Sequence, residues 1–157
     1  MLSSLPTVWK GLIALLCGAV MPLGFAPFGF FLVPLVALAV LAGLLVGANR
    51  RAGLLTGWLF GLGQFGAGVS WVHISIHQYG NAGLVLSLAT MLLLVVYLAL
   101  FPALMGWLVA RFSGSTPVVT TLLVFPASWA LTEWLRAWLF GGFPWLNLGY
   151  SQVDSPL

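Results

Sequence analysis

Apolar residues fall into five long runs, at about 8–25, 31–48, 52–72, 83–110 and 118–140, separated by short polar or helix-breaking stretches. A helix needs roughly 20 apolar residues to cross a bilayer core. The runs therefore predict an all-α integral membrane protein, a bundle of about five transmembrane helices. It occupies residues 1–157 as one transmembrane domain, with an outward-facing tail over 141–157. The runs are apolar all round, so amphipathicity does not say which side of each helix meets lipid.

The interruptions carry their own signals. Met21–Phe31 (MPLGFAPFGFF) combines two prolines, two glycines and four phenylalanines, which predicts a tight hairpin at a membrane surface. Asn49-Arg50-Arg51 reads as a loop, because an arginine costs about 2.5–3.5 kcal/mol at the centre of a span. Ser70–Asn81 reads as a polar and aromatic loop. The fourth run is long and holds Pro102, which predicts a tilted or kinked helix. The fifth run has Ser115 or Thr116 as N-cap and Pro117 at its first helical position.

Composition excludes a soluble domain: 62% of residues are hydrophobic, 4% are charged and the mean hydropathy is +1.14. A net charge of +3 from five basic residues is too sparse to track nucleic-acid phosphates. Those bases report topology instead. Lys10, Arg50, Arg51 and Arg111 fall on one side if five spans alternate, which by the positive-inside rule makes the N-terminus cytoplasmic. The first hairpin, the histidine segment and the tail from Phe143 to Asp154 then face outward.

Gly53, Gly57 and Gly61 recur every four residues, with Gly68 two turns on, and small residues at that period let membrane helices approach closely. The third helix is therefore expected at the centre. Gly61, Gly63 and Gly66 also match the dinucleotide-binding pattern G-x-G-x-x-G, but no strand or βαβ unit frames them, and we read a packing motif and no cofactor. His73 and His77 have ligand spacing on a helix, yet no third ligand is near, and no metal site is expected. Cys17, inside an apolar run without a neighbouring base, reads as an inert buried thiol.

The candidate chemistry lies in Trp129–Gln152, where an acid, a base and four tryptophans surround a Gly-Gly-Phe-Pro-Trp break. Glu133 and Arg136, at i and i+3, can pair and are placed roughly 6–10 Å below the outer interface. Such a pair either reaches lipid headgroups or satisfies itself while fixing helix rotation. Phe143, Trp145 and Tyr150 form either an aromatic belt or the wall of a lipid-binding mouth.

Gly142-Phe143-Pro144-Trp145, followed by Gly149-Tyr150-Ser151-Gln152 and preceded by Thr132-Glu133-Trp134-Leu135-Arg136, resembles the signature of bacterial apolipoprotein N-acyltransferases. Phe65–Val72 with Ser75-Ile76 and Tyr79-Gly80, and the hairpin Leu23–Phe28, are similar to the same family. The resemblance implies a multi-pass enzyme of the bacterial inner membrane. It implies an acyl donor that is a phospholipid, usually phosphatidylethanolamine, and an acceptor that is the N-terminal amine of a diacylglyceryl-cysteine lipoprotein. Trp71 then joins Glu133, Arg136, Phe143, Trp145 and Tyr150 as expected lipid-contacting residues.

The family's chemistry belongs to a nitrilase-like domain with a Glu base, an oxyanion-stabilising Lys and a Cys nucleophile. No residue of this chain is expected to be catalytic: Cys17 lies in the wrong span, Lys10 is on the cytoplasmic side, and Glu133 has no such partners. The expectation is the N-terminal membrane part of a longer acyltransferase, inactive alone. The alternative is a non-catalytic lipid-binding or scaffolding protein assembling through the Gly53, Gly57, Gly61 face. A small transporter is the weaker reading, because Glu133 and Arg136 are the only ionisable pair within a span.

Overall fold

The structure, a computed structural model, describes residues 6–113, 116–153 and 155. Among them there is no strand; the main elements are helices α1 (Thr7–Val20), α2 (Leu32–Leu45), α3 (Arg50–Gly68), α4 (Val72–Gln78), α5 (Leu84–Phe112) and α6 (Pro117–Arg136). The last is α-helical at both ends, with a π turn over Thr120–Val124. Pro126 sits at the start of the α-helical part that follows and has no N–H to donate to the preceding turn, which accounts for the loosened ladder. Thr116 is the N-cap, its Oγ1 accepting from Val119 N at 3.3 Å; Ser115, the other expected cap, lies outside the described residues, as does Asp154 of the tail.

Each apolar run contains a helix, but three of the helices are long and apolar enough to cross a membrane, or four if α3 and α4 form one bent span. Helix α2, with 14 residues, is a shorter apolar helix. It ends at Val46 because Gly47 turns the chain with φ of +71°. Two boundary expectations are corrected. Arg50 and Arg51 open α3 rather than lying in a loop, since Asn49 caps the helix through a 2.9 Å bond from Ala52 N to its Oδ1. The segment expected as a loop over Ser70–Asn81 contains α4, bent by 47° from α3.

The side of α5 that faces away from the bundle, which the sequence leaves open, is visible here. On α5, Leu86, Leu93 and Leu100 recur every seven residues and are exposed, Leu93 by 70%. Leu98, Pro102, Met105 and Val109 face inward. Large leucines pointing outward are what a helix in hydrocarbon presents.

The inward packing centres on α3, as its glycine period predicts. A Cβ on Gly57 would stand 2.1 Å from Pro102 O, one on Gly53 2.4 Å from Gly106 O, and one on Gly61 2.8 Å from Ala99 Cα. The α3 and α5 backbones are therefore in direct contact, running antiparallel. On another side, Gly63 lies against Leu15 O, Gly18 of α1 against Phe60 O, and Gly11 against Leu59, so α1 runs parallel to α3. Gly68 leaves this seam and faces Leu146 and Pro22 instead of α5. Of the G-x-G-x-x-G residues, Gly61 and Gly63 are packing positions on different sides of the helix, and Gly66 has nothing within 4 Å.

These directions place Lys10, Arg50, Arg51 and Arg111 at one end of the bundle. Helix α6 runs parallel to α3, with Trp129 against Phe60 and Arg136 over Phe65, so residues 137–153 gather at the opposite end. The first hairpin and α4 are at that end too.

Gly57 and Gly66 offer a direct comparison. Gly57→Ala is expected to destabilise the bundle by about 1–3 kcal/mol, because backbone on both sides must shift. Gly66→Ala should be neutral or stabilising by up to about 1 kcal/mol. Thermal unfolding of both variants in detergent checks this; equal midpoints would place the close seam elsewhere.

Candidate functional site

The site is built from the end of α6 and the chain beyond it. Arg136 is the last helical residue, so Glu133 and Arg136 lie nearer the helix end than a run to Phe140 suggests. Phe140, Gly141 and Gly142 then take φ of 52°, 88° and 77°, which turns the chain back over the helix end. At Gly142 a Cβ would also meet Ala137 O at 2.2 Å, so glycine is required there twice over.

Arg136 is 3% exposed and its guanidinium is aimed at the returning chain. It donates to Phe143 O at 2.7 Å, to Trp145 O at 2.5 Å and to Asn147 Oδ1. Its own carbonyl accepts from Phe143 N at 3.0 Å, and the guanidinium carbon lies over the Phe65 ring, 5.2 Å from its centre. Glu133 Oε1 accepts from Leu148 N at 2.8 Å and stands 3.7 Å from Arg136. The pair thus forms, but both partners spend their hydrogen bonds on residues 143–148 rather than on each other.

That bracing fixes Leu146, which has φ of +60° and is buried against the gap that Gly68 leaves. A left-handed leucine is strained, and Arg136 holds the residues on either side of it. A second tie comes from the tail, where Gln152 donates to Phe31 O at 3.0 Å and so joins the loop to the first hairpin.

Between these parts lies a cavity of about 670 Å³. Trp71, Phe143, Trp145 and Tyr150 all line it, together with Phe25 and Phe28 of the hairpin and Gly68 at the end of α3. Trp71 and Trp145 meet with ring centres 5.6 Å apart. Four of the six residues singled out in the sequence therefore share one cavity, while Glu133 and Arg136 stand behind its wall. Phe25 and Phe28 were not expected as lining residues; their signal was the density of rings in a broken stretch. Asn147 gave no signal, because a lone asparagine in a loop has many uses.

His73 and His77 do not turn to each other. The Nδ1–H of His73 donates to Ser70 O and that of His77 to Ala82 O at 2.8 Å, so both rings brace the ends of α4. Cys17 is half-buried and packs against the apolar core.

The two members of the pair are unequal. Arg136→Gln takes the charged donor from three loop oxygens, at an expected cost of about 3–5 kcal/mol. Glu133→Gln keeps an oxygen for Leu148 N–H and should cost about 1 kcal/mol. Thermal unfolding in detergent, read with proteolysis across residues 143–150, checks the order; equal losses would show that the ion pair, not the loop bracing, carries the stability.

Comparison with known proteins identifies the family. Residues 17–157 match the family model for the apolipoprotein N-acyltransferase N-terminal domain. The apolipoprotein N-acyltransferase of Methylococcus capsulatus is 52% identical over 146 residues, which is 93% of this chain and 29% of the relative. Those of Vibrio vulnificus and Coxiella burnetii are each 46% identical, over 89% and 94% of this chain and 28% and 31% of their own length. The chain thus spans under a third of the length of these curated relatives. With residues 17–157 matched to the family's N-terminal domain, the chain belongs to the apolipoprotein N-acyltransferase family.

Proposed function

We propose that this stretch is the membrane part of a phospholipid-dependent apolipoprotein N-acyltransferase of the bacterial inner membrane. In this reading it holds the phospholipid acyl donor, phosphatidylethanolamine by the family resemblance, and the diacylglyceryl-cysteine end of the lipoprotein acceptor. The catalytic Glu, Lys and Cys belong to a domain outside these 157 residues. The end of the bundle carrying Lys10, Arg50, Arg51 and Arg111 faces the cytoplasm, and the ring-lined cavity faces the periplasm.

The observation that supports this reading best is the cavity itself, whose walls from three separate chain segments are almost wholly aromatic or aliphatic. It suits a hydrocarbon chain and offers no charged group to an ion. Trp71 and Trp145 can grip a chain at headgroup depth, where indoles are stable. Arg136 and Glu133 act as positioning residues: they hold the backbone from which Phe143 and Trp145 project.

Trp145→Ala, made in the protein at its natural length, should lower acyl transfer in membranes containing matched amounts of protein. Loss of a ring that a bound acyl chain covers is worth about 1.5–3 kcal/mol, or roughly 10- to 150-fold. Trp145→Phe should recover most of it. Normal transfer by Trp145→Ala and by Trp71→Ala would remove the lipid mouth from this cavity.

A further inference from the structure

At the end of the bundle opposite the ring-lined cavity, α3 and α5 form a second depression, a groove of about 440 Å³. Leu54 and Trp58 of α3 make one wall, and Leu100, Leu104 and Trp107 of α5 the other, with Ala103 between them. Each wall leads to arginine along its own helix face. Leu54 lies one turn from Arg50 and Arg51, and Trp107 lies one turn from Arg111, at the i, i+3 and i, i+4 spacings that share a face. Because α3 and α5 run antiparallel, with Gly53 against Gly106 and Ala110, the three arginines converge over the same end of the groove. All three are exposed, and the only described acid, Glu133, lies at the far end of the molecule.

The depth of the groove narrows what can fill it. At 1.5 Å per residue, Arg111 to Leu100 spans roughly 16 Å and Arg50 to Trp58 roughly 12 Å, against about 15 Å for one leaflet of a bilayer core. A transmembrane helix would need a seam through both leaflets, whereas an acyl chain needs a slot through one. An apolar slot one leaflet deep, flanked by two tryptophans and headed by three cations, matches a lipid whose headgroup carries net negative charge.

We propose that this groove is a binding site for an anionic membrane phospholipid, its phosphate against Arg50, Arg51 and Arg111 and an acyl chain between Trp58 and Trp107. The site is separate from the proposed acyl-donor cavity and does not depend on it.

The test uses the protein at its natural length in nanodiscs of equal phosphatidylglycerol and phosphatidylcholine, with native mass spectrometry after partial delipidation. The wild type should retain one phosphatidylglycerol in preference to phosphatidylcholine. Each arginine near a membrane surface contributes about fivefold to such affinity, so R50Q/R51Q/R111Q should lower retention by roughly 100-fold. Leu104→Trp, which fills the slot and leaves the arginines in place, should lower it as well. These positions are exposed, so helicity by circular dichroism should match the wild type in both variants. Undiminished retention in either folded variant, equal retention of phosphatidylcholine, or a wild type that keeps no lipid because another helix or a second copy covers the groove would each overturn the proposal.

Discussion

A buried guanidinium holds the ring-lined end of this protein together. Arg136 sits at the close of a membrane helix, where an unpaired cation would be costly. The returning chain supplies what it needs: the carbonyls of Phe143 and Trp145 and the side chain of Asn147. Satisfying the charge and shaping the loop are therefore one event. With the backbone of residues 143–147 turned to the arginine, the rings of Phe143 and Trp145 are left to line the cavity, and Leu146 is held in a conformation it would not choose alone.

The loop closes onto a floor prepared by the same device that assembles the bundle. Along α3, missing side chains let α5 and α1 approach to backbone contact. At the last residue of the helix, Gly68 uses that freedom differently, admitting the side chain of Leu146 and the ring of Pro22. The helix that carries the packing seam thus also supplies the floor of the cavity.

Much of this was legible in the sequence because hydrocarbon demands simple patterns. Runs of apolar residues located all the main helices except α4, and the four-residue glycine period identified α3 as the central one. Phe143, Trp145 and Tyr150, which the sequence left open between an aromatic belt and a cavity wall, line one cavity with Trp71. What could not be read were features set by long-range partners. The pairing of Arg136 with backbone carbonyls leaves no trace in residue identity, and the ring contribution of Phe25 and Phe28 depends on a hairpin docking against a segment over a hundred positions away. Helix ends were misjudged where local bonding overrode hydropathy: Asn49 draws Arg50 and Arg51 into α3, and α6 ends at Arg136, where Trp138 N turns to Leu135 O, short of Phe140.

The position of the fifth base completes the electrostatic picture. Four of the five basic residues gather at one end, and Arg136 is alone at the other. It does not act there as a free positive charge. As the last residue of α6 it stands at the negative end of the helix dipole, where a cation is stabilised by about 0.3–1 kcal/mol or more when partly buried. Glu133 lies one turn behind it, and three loop oxygens enclose its donors. The site end therefore presents rings and backbone, with almost no net charge, while the opposite end presents exposed arginines. A protein with so few charges can in this way keep one set exposed at one end and use a single buried member to shape the cavity at the other, without either opposing the other.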